Sequence, residues 1–254
     1  MRAFKTTILA LALGLGLTSG ARAAGEMVPP PNVDFSHEGI FGTFDRAAAQ
    51  RGFQVYKEVC SACHAMSLLS YRNLQALGFS EDEVKAIAAQ YEVTAGPNDA
   101  GEMFQRAAVP ADRFRSPFPN EQAARASNNG ALPPDLSLMA KARPHGEEYI
   151  NAFLTGYVDP PADVTVPEGQ YYNKYFPGHL VGMPPILQPD GVTYADGTAA
   201  TPEQMAHDVS VFLTWAAEPH LEARKQMGVK VILFLLVFTG MMYAVKRKVW
   251  ADVH

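Results

Sequence analysis

Apolar residues recur with helical spacing in four places along the chain. Gly52, Val55, Tyr56 and Val59 fall at i, i+3, i+4 and i+7, which predicts a helix whose apolar face runs directly into Cys60. Ser80-Glu81-Asp82-Glu83 reads as a capping box, and Val84, Ile87, Ala88 and Tyr91 continue one face behind it. Tyr149, Ile150, Phe153 and Leu154 predict a short helix from Glu147 to about Gly156. Thr201-Pro202-Glu203-Gln204 supplies an N-cap, a proline at the first position and a glutamine at N3, and Met205, Val209, Phe212, Leu213 and Ala216 carry the face up to Pro219. Gly52 costs helix propensity, and close approach of another helix is the compensation expected for it. The Met205–Ala216 helix is the expected partner, so that the domain is closed by its first and last helices.

Two further runs are apolar without periodicity. Arg2 and Lys5, an apolar stretch from Thr7 to about Thr18 and the small-residue site Ala21-Arg22-Ala23 match a secretory signal peptide, which places the start of the mature chain near Ala24. From Met227 to Val245 the only charge is Lys230, and nineteen helical residues are long enough to cross the hydrocarbon of a bilayer. Lys230 can snorkel and Trp250 suits an interfacial ring. Lys246-Arg247-Lys248 directly after the run predicts a cytoplasmic C-terminus, and therefore an exported head, in agreement with the signal. The expected organisation is a signal peptide over 1–23, a periplasmic domain over 24–219 and a single-pass anchor with a short tail over 220–254 of the inner membrane.

Between these elements the periodicity fails. Residues 92–138 are dominated by Pro, Asn, Gly and charged residues and 159–189 are rich in Pro and Tyr; a stretch as long and irregular as 92–138 inside a compact domain is more often functional or insertion-like than connecting. In Ala124–Ser137 the Asn-Asn-Gly and Pro-Pro elements predict turns and extended backbone, suited to wrapping a flat cofactor or serving simply as turn chemistry. From Ala24 to Glu218 there are 12 Lys and Arg against 24 Asp and Glu, a formal −12. That balance excludes nucleic acid as an expected partner and would steer a basic protein toward the head.

The chemistry concentrates at Cys60-Ser61-Ala62-Cys63-His64. In a C-x-x-C-H pentad two thiols can add across haem vinyl groups while the adjacent histidine comes under the iron. A redox dithiol would call for a βαβ context and a zinc site for further ligands, and these are the only two cysteines in the chain. A haem held by one histidine leaves a second axial position, and a thioether there raises the potential, as an electron carrier requires. Met183 is the candidate, because Gly182 before it and Pro184-Pro185 after it make a stiff loop able to present its side chain. His179 is the alternative and would give bis-histidine ligation.

The collinear series RGFQVYKEVCSACH, GEMF, ARASNNGALPPDLS, YYNKYFPG with GMPP, DGTAATPEQMAHDV, and WAAEP followed by RKQMG and the anchor resembles the cytochrome c1 family from about Phe35 to Trp250. The resemblance implies a mainly α, class I cytochrome c-like haem domain with long loop insertions on one C-terminal transmembrane helix. It implies one covalent haem c on Cys60 and Cys63, with His64 proximal and Met183 distal. It also implies Arg143 and Tyr149 on the propionate side, and Pro133 and Pro134 in the turn lining the proximal side. The implied function is one-electron transfer from the Rieske iron–sulfur protein, after quinol oxidation at cytochrome b, to a soluble cytochrome c. That places the chain in a dimeric complex as a non-catalytic subunit of a quinol–cytochrome c reductase. A free-standing anchored cytochrome feeding an oxidase and a haem peroxidase are the alternatives. Bacterial members often carry another cysteine pair and a longer insertion before the methionine, and this chain has neither.

Overall fold

The computed structural model of the chain describes residues 28–253, so the signal-peptide expectation for 1–23 lies outside the described residues. Helix α1 (Arg46–Glu58) is capped by Asp45, whose carboxylate accepts from the amides of Ala47 and Ala48. One turn of 3-10 helix, Cys60–Ala62, follows at once. A 3-10 segment, Tyr71–Leu77, then leads to α2 (Glu81–Ala88), where Ser80 and Glu83 form the reciprocal capping box read from the sequence. The expected helical face stops short of Tyr91, which instead stacks on Tyr71 with centroids 5.5 Å apart.

The stretch 92–138 is less irregular than its composition suggests. Strands β1 (Glu92–Ala95) and β2 (Phe104–Ala107) form an antiparallel hairpin in which Glu92 faces Ala107 and Ala95 faces Phe104. β1 alternates over only four residues, with Val93 and Ala95 half-buried, and β2 leaves all but Arg106 exposed, so the apolar pattern is too short to read. Helix α3 (Glu121–Ser127), capped by Asn120, buries only Ala124 and is silent for the same reason. Short α4 (Met139–Ala142) precedes α5 (Gly146–Thr155), which matches the expected helix within a residue at each end. Strands β3 (Tyr171–Tyr172) and β4 (Leu180–Val181) pair across a turn that contains His179.

Helix α6 (Pro202–Ala217) crosses α1 and forms the centre of the core. Thr201 caps it by accepting from the amide of Gln204, but the Gln204 side chain turns to Asp208 instead of closing a capping box. At the crossing Gly52 lies against the backbone of Asp208 and the side chain of Phe212, as expected of a glycine at a close approach. Phe53, Tyr56, Phe114 and Phe212 pack around the crossing with centroids 5.7–6.0 Å apart.

Beside that contact Arg51 forks onto buried Asp208, with Nε–Oδ2 at 2.8 Å and Nη2–Oδ1 at 3.0 Å, and its third arm reaches Asp196. Burial opposes ionisation of Asp208, but the His207 ring 3.6 Å away and hydrogen bonds from Arg51 and Gln204 outweigh it and hold the carboxyl below the usual carboxylate range. The unfolded chain therefore binds this proton more readily than the folded one. The stabilisation is complete above the unfolded carboxyl's range, about pH 4, and is lost as pH falls through the lower folded value. Urea midpoints measured between pH 3 and 6 should show this acid limb in the wild type and a shallower one in Asp208→Asn. Equal slopes would rule out Asp208 as a contributor.

The last helix, α7 (Leu221–Val249), is one continuous apolar element long enough to span a membrane. The charged stretch 222–225 forms its first turns, and these are fastened to the head. Leu221 is buried in the head's core. Glu222 accepts from the amide of Phe44 at 2.8 Å and from Arg46 at 2.8 Å, while Lys225 donates to the carbonyls of His37 and Gly42.

Candidate functional site

The pentad sits where α1 ends. The amides of Cys63 and His64 both donate to the carbonyl of Cys60, at 3.1 and 2.9 Å, which coils the pentad and leaves Cys60 buried and Cys63 exposed. Burial pushes the Cys60 thiol up to about 12, so it stays protonated at neutral pH. A redox dithiol or a thiolate metal ligand needs the opposite shift, whereas a thioether bond in an apolar site does not.

Residues 134–137, directly after Pro133, clamp this turn from the side. The amide of Leu136 donates to the carbonyl of Ala65 at 2.8 Å, Ser67 donates to Asp135 at 2.9 Å, and Leu68 donates to the Ser137 hydroxyl at 3.1 Å. Within the clamp the carbonyl of Pro134 lies 2.8 Å from His64 Nδ1. A proton on Nδ1 leaves the lone pair of Nε2 free, which is the arrangement a histidine ligand to iron requires. Burial lowers the His64 pKa, with the Pro134 hydrogen bond and Asp135 acting against it, and the ring is held neutral. The donor set and its orientation fit a haem iron. Pro134 thus contributes through its carbonyl, and Pro133 lies half-buried beside it.

Opposite ends of the two irregular stretches come together. A Cβ built on Gly182 would stand 3.2 Å from Ala131, and one on Gly169 would strike the Asn129 amide, so the Gly-Met-Pro-Pro loop lies against the Asn-Asn-Gly turn. That turn is made by Asn129 and Gly130, both at positive φ (50° and 85°), with the Gly130 amide donating back to Arg125.

Met183 is half-buried, and its carbonyl accepts from the Tyr157 hydroxyl at 3.0 Å. Tyr157 ends an aromatic row with Phe153 and Tyr149, at centroid spacings of 5.8 and 6.1 Å. Tyr149 is buried, which raises its pKa, and Arg143 beside it acts in the opposite direction, so the two residues expected on the propionate side are neighbours. His179 sits at positive φ in the β3–β4 turn, stacked on Tyr172 and with Nδ1 3.2 Å from the carbonyl of Asn173. It is engaged in holding that turn. Met66 and Met205 are both buried in the core.

Four contributors escaped sequence reasoning. Tyr157 continues the i, i+4 spacing of Tyr149 and Phe153 beyond the helix end, a signal that was available. Asp135 and Ser137 are short polar residues after Pro-Pro, whose clamp role needs the partner segment to be known. Fully buried Asn173 donates to the carbonyl of Phe153 at 2.7 Å and accepts from the amides of Tyr175 and Phe176, tying the β3–β4 turn to α5.

A mainly helical head of the cytochrome c type, built around a Cys-x-x-Cys-His turn and carried on one long apolar helix, defines the class as haem-binding electron carriers. The Cytochrome C1 family model matches residues 35–253, and the chain belongs to the cytochrome c1 family. It is 50% identical to cytochrome c1 of Rhodospirillum rubrum over 98% of this chain and 97% of that protein. It is 51% identical to the mitochondrial heme protein cytochrome c1-2 of Solanum tuberosum over 88% of this chain and 86% of that protein. Cytochrome b/c1 of Bradyrhizobium diazoefficiens is 50% identical over 97% of this chain, which spans only 39% of that longer protein.

Proposed function

We propose that this chain is the electron-transfer subunit of a ubiquinol:cytochrome c oxidoreductase. In this reading Cys60 and Cys63 carry one haem c covalently, His64 and Met183 are its axial ligands, and Arg143 and Tyr149 meet the propionates. The bound haem supplies a one-electron Fe(III)/Fe(II) couple. The chain's own residues fix the imidazole, bury it and keep it neutral, and hold the thioether loop.

The orientation of His64 by the Pro134 carbonyl carries the reading. The electron would come from the Rieske iron–sulfur protein after quinol oxidation at cytochrome b. It would leave to a soluble cytochrome c, without substrate bonds being made on this chain. The name of the Bradyrhizobium relative, which joins b and c1, supports cytochrome b as the membrane partner; the complex would be dimeric. The head would be periplasmic and the tail after Lys246-Arg247-Lys248 cytoplasmic. Purification of the tagged full chain from its own membranes tests this directly. It should bring down a b-type cytochrome, and the pyridine haemochrome of this chain should report one acid-stable c haem. A chain that purifies alone, or releases its haem to acidic acetone, would overturn the reading.

Two further outcomes follow from charge and from α7. The acidic head should make reduction of a basic soluble cytochrome c fall steeply with salt, because the Debye length shrinks from about 10 Å at 0.1 M to about 3 Å at 1 M. Stopped-flow rates independent of ionic strength would remove electrostatic steering. A stop after Gln226, with the signal kept, should release a soluble haem-loaded head. A stop after Glu218 should give a less stable one, since it also removes Leu221, Glu222 and Lys225. Equal thermal midpoints for the two would show that these contacts contribute nothing.

A further inference from the structure

Residues 36–43 form a tight loop beside the top of α7, with the Thr43 amide donating to the Ser36 carbonyl at 3.1 Å and that of Glu38 to Phe35 at 3.1 Å. The loop is closed so tightly that a Cβ on Gly42 would stand 1.8 Å from the Glu38 carbonyl oxygen. Glu222 and Lys225 pin it to the helix through Phe44, His37 and Gly42. A loop held this firmly nevertheless presents two large apolar side chains to the outside: Ile40 is 68% and Phe41 83% exposed. Solvated loop tips are ordinarily polar, so this tip points to an apolar neighbour.

Its position along α7 identifies that neighbour. Ile40, Phe41, Gly42 and Thr43 share a groove with Glu222, Lys225, Gln226, Val229 and Lys230 of the helix. The apolar span of α7 starts at Met227 with Lys230 as its one charge, and its nineteen residues to Val245 rise about 29 Å, which nearly matches a hydrocarbon core of about 30 Å. The hydrocarbon boundary therefore cannot move far below Met227, and the loop tip beside Val229 and Lys230 lies at or inside it. Lys230, exposed next to the tip, can direct its ammonium to lipid phosphates while its stem lies along the apolar groove.

We propose that Ile40 and Phe41 form a second membrane contact, a foot inserted into the leaflet on the head's side at the acyl–headgroup boundary. The phospholipid there fills the groove between the foot and the first turns of α7, its phosphate facing Lys230. The foot and the helix together fix the tilt of the head over the bilayer. This inference rests on α7 being a membrane span and extends it to the head itself.

Photo-crosslinking in native membranes with the full, haem-loaded chain tests the foot. Phe41→p-benzoylphenylalanine and Ile40→p-benzoylphenylalanine should each add the mass of one intact phospholipid, whereas the same group at Met103, 61% exposed beside the β1–β2 hairpin, should add none. Leu233 and Leu235, on opposite sides of α7, report the span independently, and at least one should take lipid. Covalent haem and a native spectrum show that each variant is folded, and either tip position suffices if the other fails to accumulate. Crosslinks from both tip positions to another polypeptide would overturn the proposal in favour of a protein interface. Lipid adducts at Leu233 or Leu235 but none at the tip above the Met103 background would also overturn it. Absence of lipid from every position would instead remove the membrane-span reading itself.

Discussion

Replacing Met183 by leucine should leave the haem covalently attached and still abolish turnover from quinol to soluble cytochrome c. Leucine keeps most of the volume and hydrophobicity of methionine, so the loop has little reason to move. Its backbone remains held by the Tyr157 hydroxyl, which donates to the carbonyl of residue 183 and does not depend on the side chain. What disappears is the thioether that, as the proposed distal ligand, would favour reduced iron. Axial ligation spans about 0.8 V in haem proteins, and losing one such ligand should lower the midpoint potential by on the order of 0.1–0.3 V. At about 59 mV per tenfold for a one-electron couple, that is a change of roughly a hundredfold or more in the equilibrium with any fixed electron donor. Redox titration and the near-infrared sulfur-to-iron band measure the effect, with the thioether haem assayed in the same sample. If the band survives in Met183→Leu and is lost in His179→Leu, the distal loop presents a different residue from the one assigned.

The elements visible in the sequence were those that bury one face. The helix ending at Cys60, the capped helix after Ser80, the helix over 146–155 and the Thr201-capped helix all announce themselves by spacing, because a solvent face and a core face differ chemically. The β1–β2 hairpin and α3 bury little, Val93 and Ala95 only in part and Ala124 alone in the helix, and so short a pattern leaves turn chemistry as the clearer record. The pentad and its histidine were legible because the chemistry fixes their spacing. The clamp on the histidine was not, since Asp135 and Ser137 act on backbone groups at residues 67 and 68, and nothing local marks a bond across that separation. The fastening of α7 to the head was hidden for a different reason. Glu222 and Lys225 read as ordinary interfacial charges, and only the folded loop at 36–44 gives them carbonyls and an amide to bind.

Adding a single methyl group at Gly52 should be among the most damaging small changes to the head. A Cβ there would stand 2.0 Å from the carbonyl oxygen of Asp208, 2.5 Å from its carbon and 2.8 Å from Phe212 Cβ. The opposing atoms are helix backbone, which cannot rotate away as a side-chain tip would, so α1 or α6 must shift as a body. Arg51, the preceding residue, is forked onto the carboxylate of that same Asp208, and any separation of the helices also stretches those bonds. The gain in helix propensity from Gly to Ala is only about 1 kcal/mol, whereas overpacking a tight core costs about 1–3 kcal/mol and more where backbone is struck. A net loss near the top of that range, about 3 kcal/mol, would lower the thermal midpoint of a domain this size by about 6–12 °C. Gly228→Ala on α7, where a Cβ meets nothing within 4 Å, is the matched control and should leave the midpoint unchanged. Because α1 runs straight into Cys60, the loss in Gly52→Ala should also appear as a smaller haem-loaded fraction at equal synthesis. A variant that melts with the wild type and loads haem equally well would mean that the α1–α6 crossing is loose enough to absorb a methyl group, and that Gly52 is not what sets its depth.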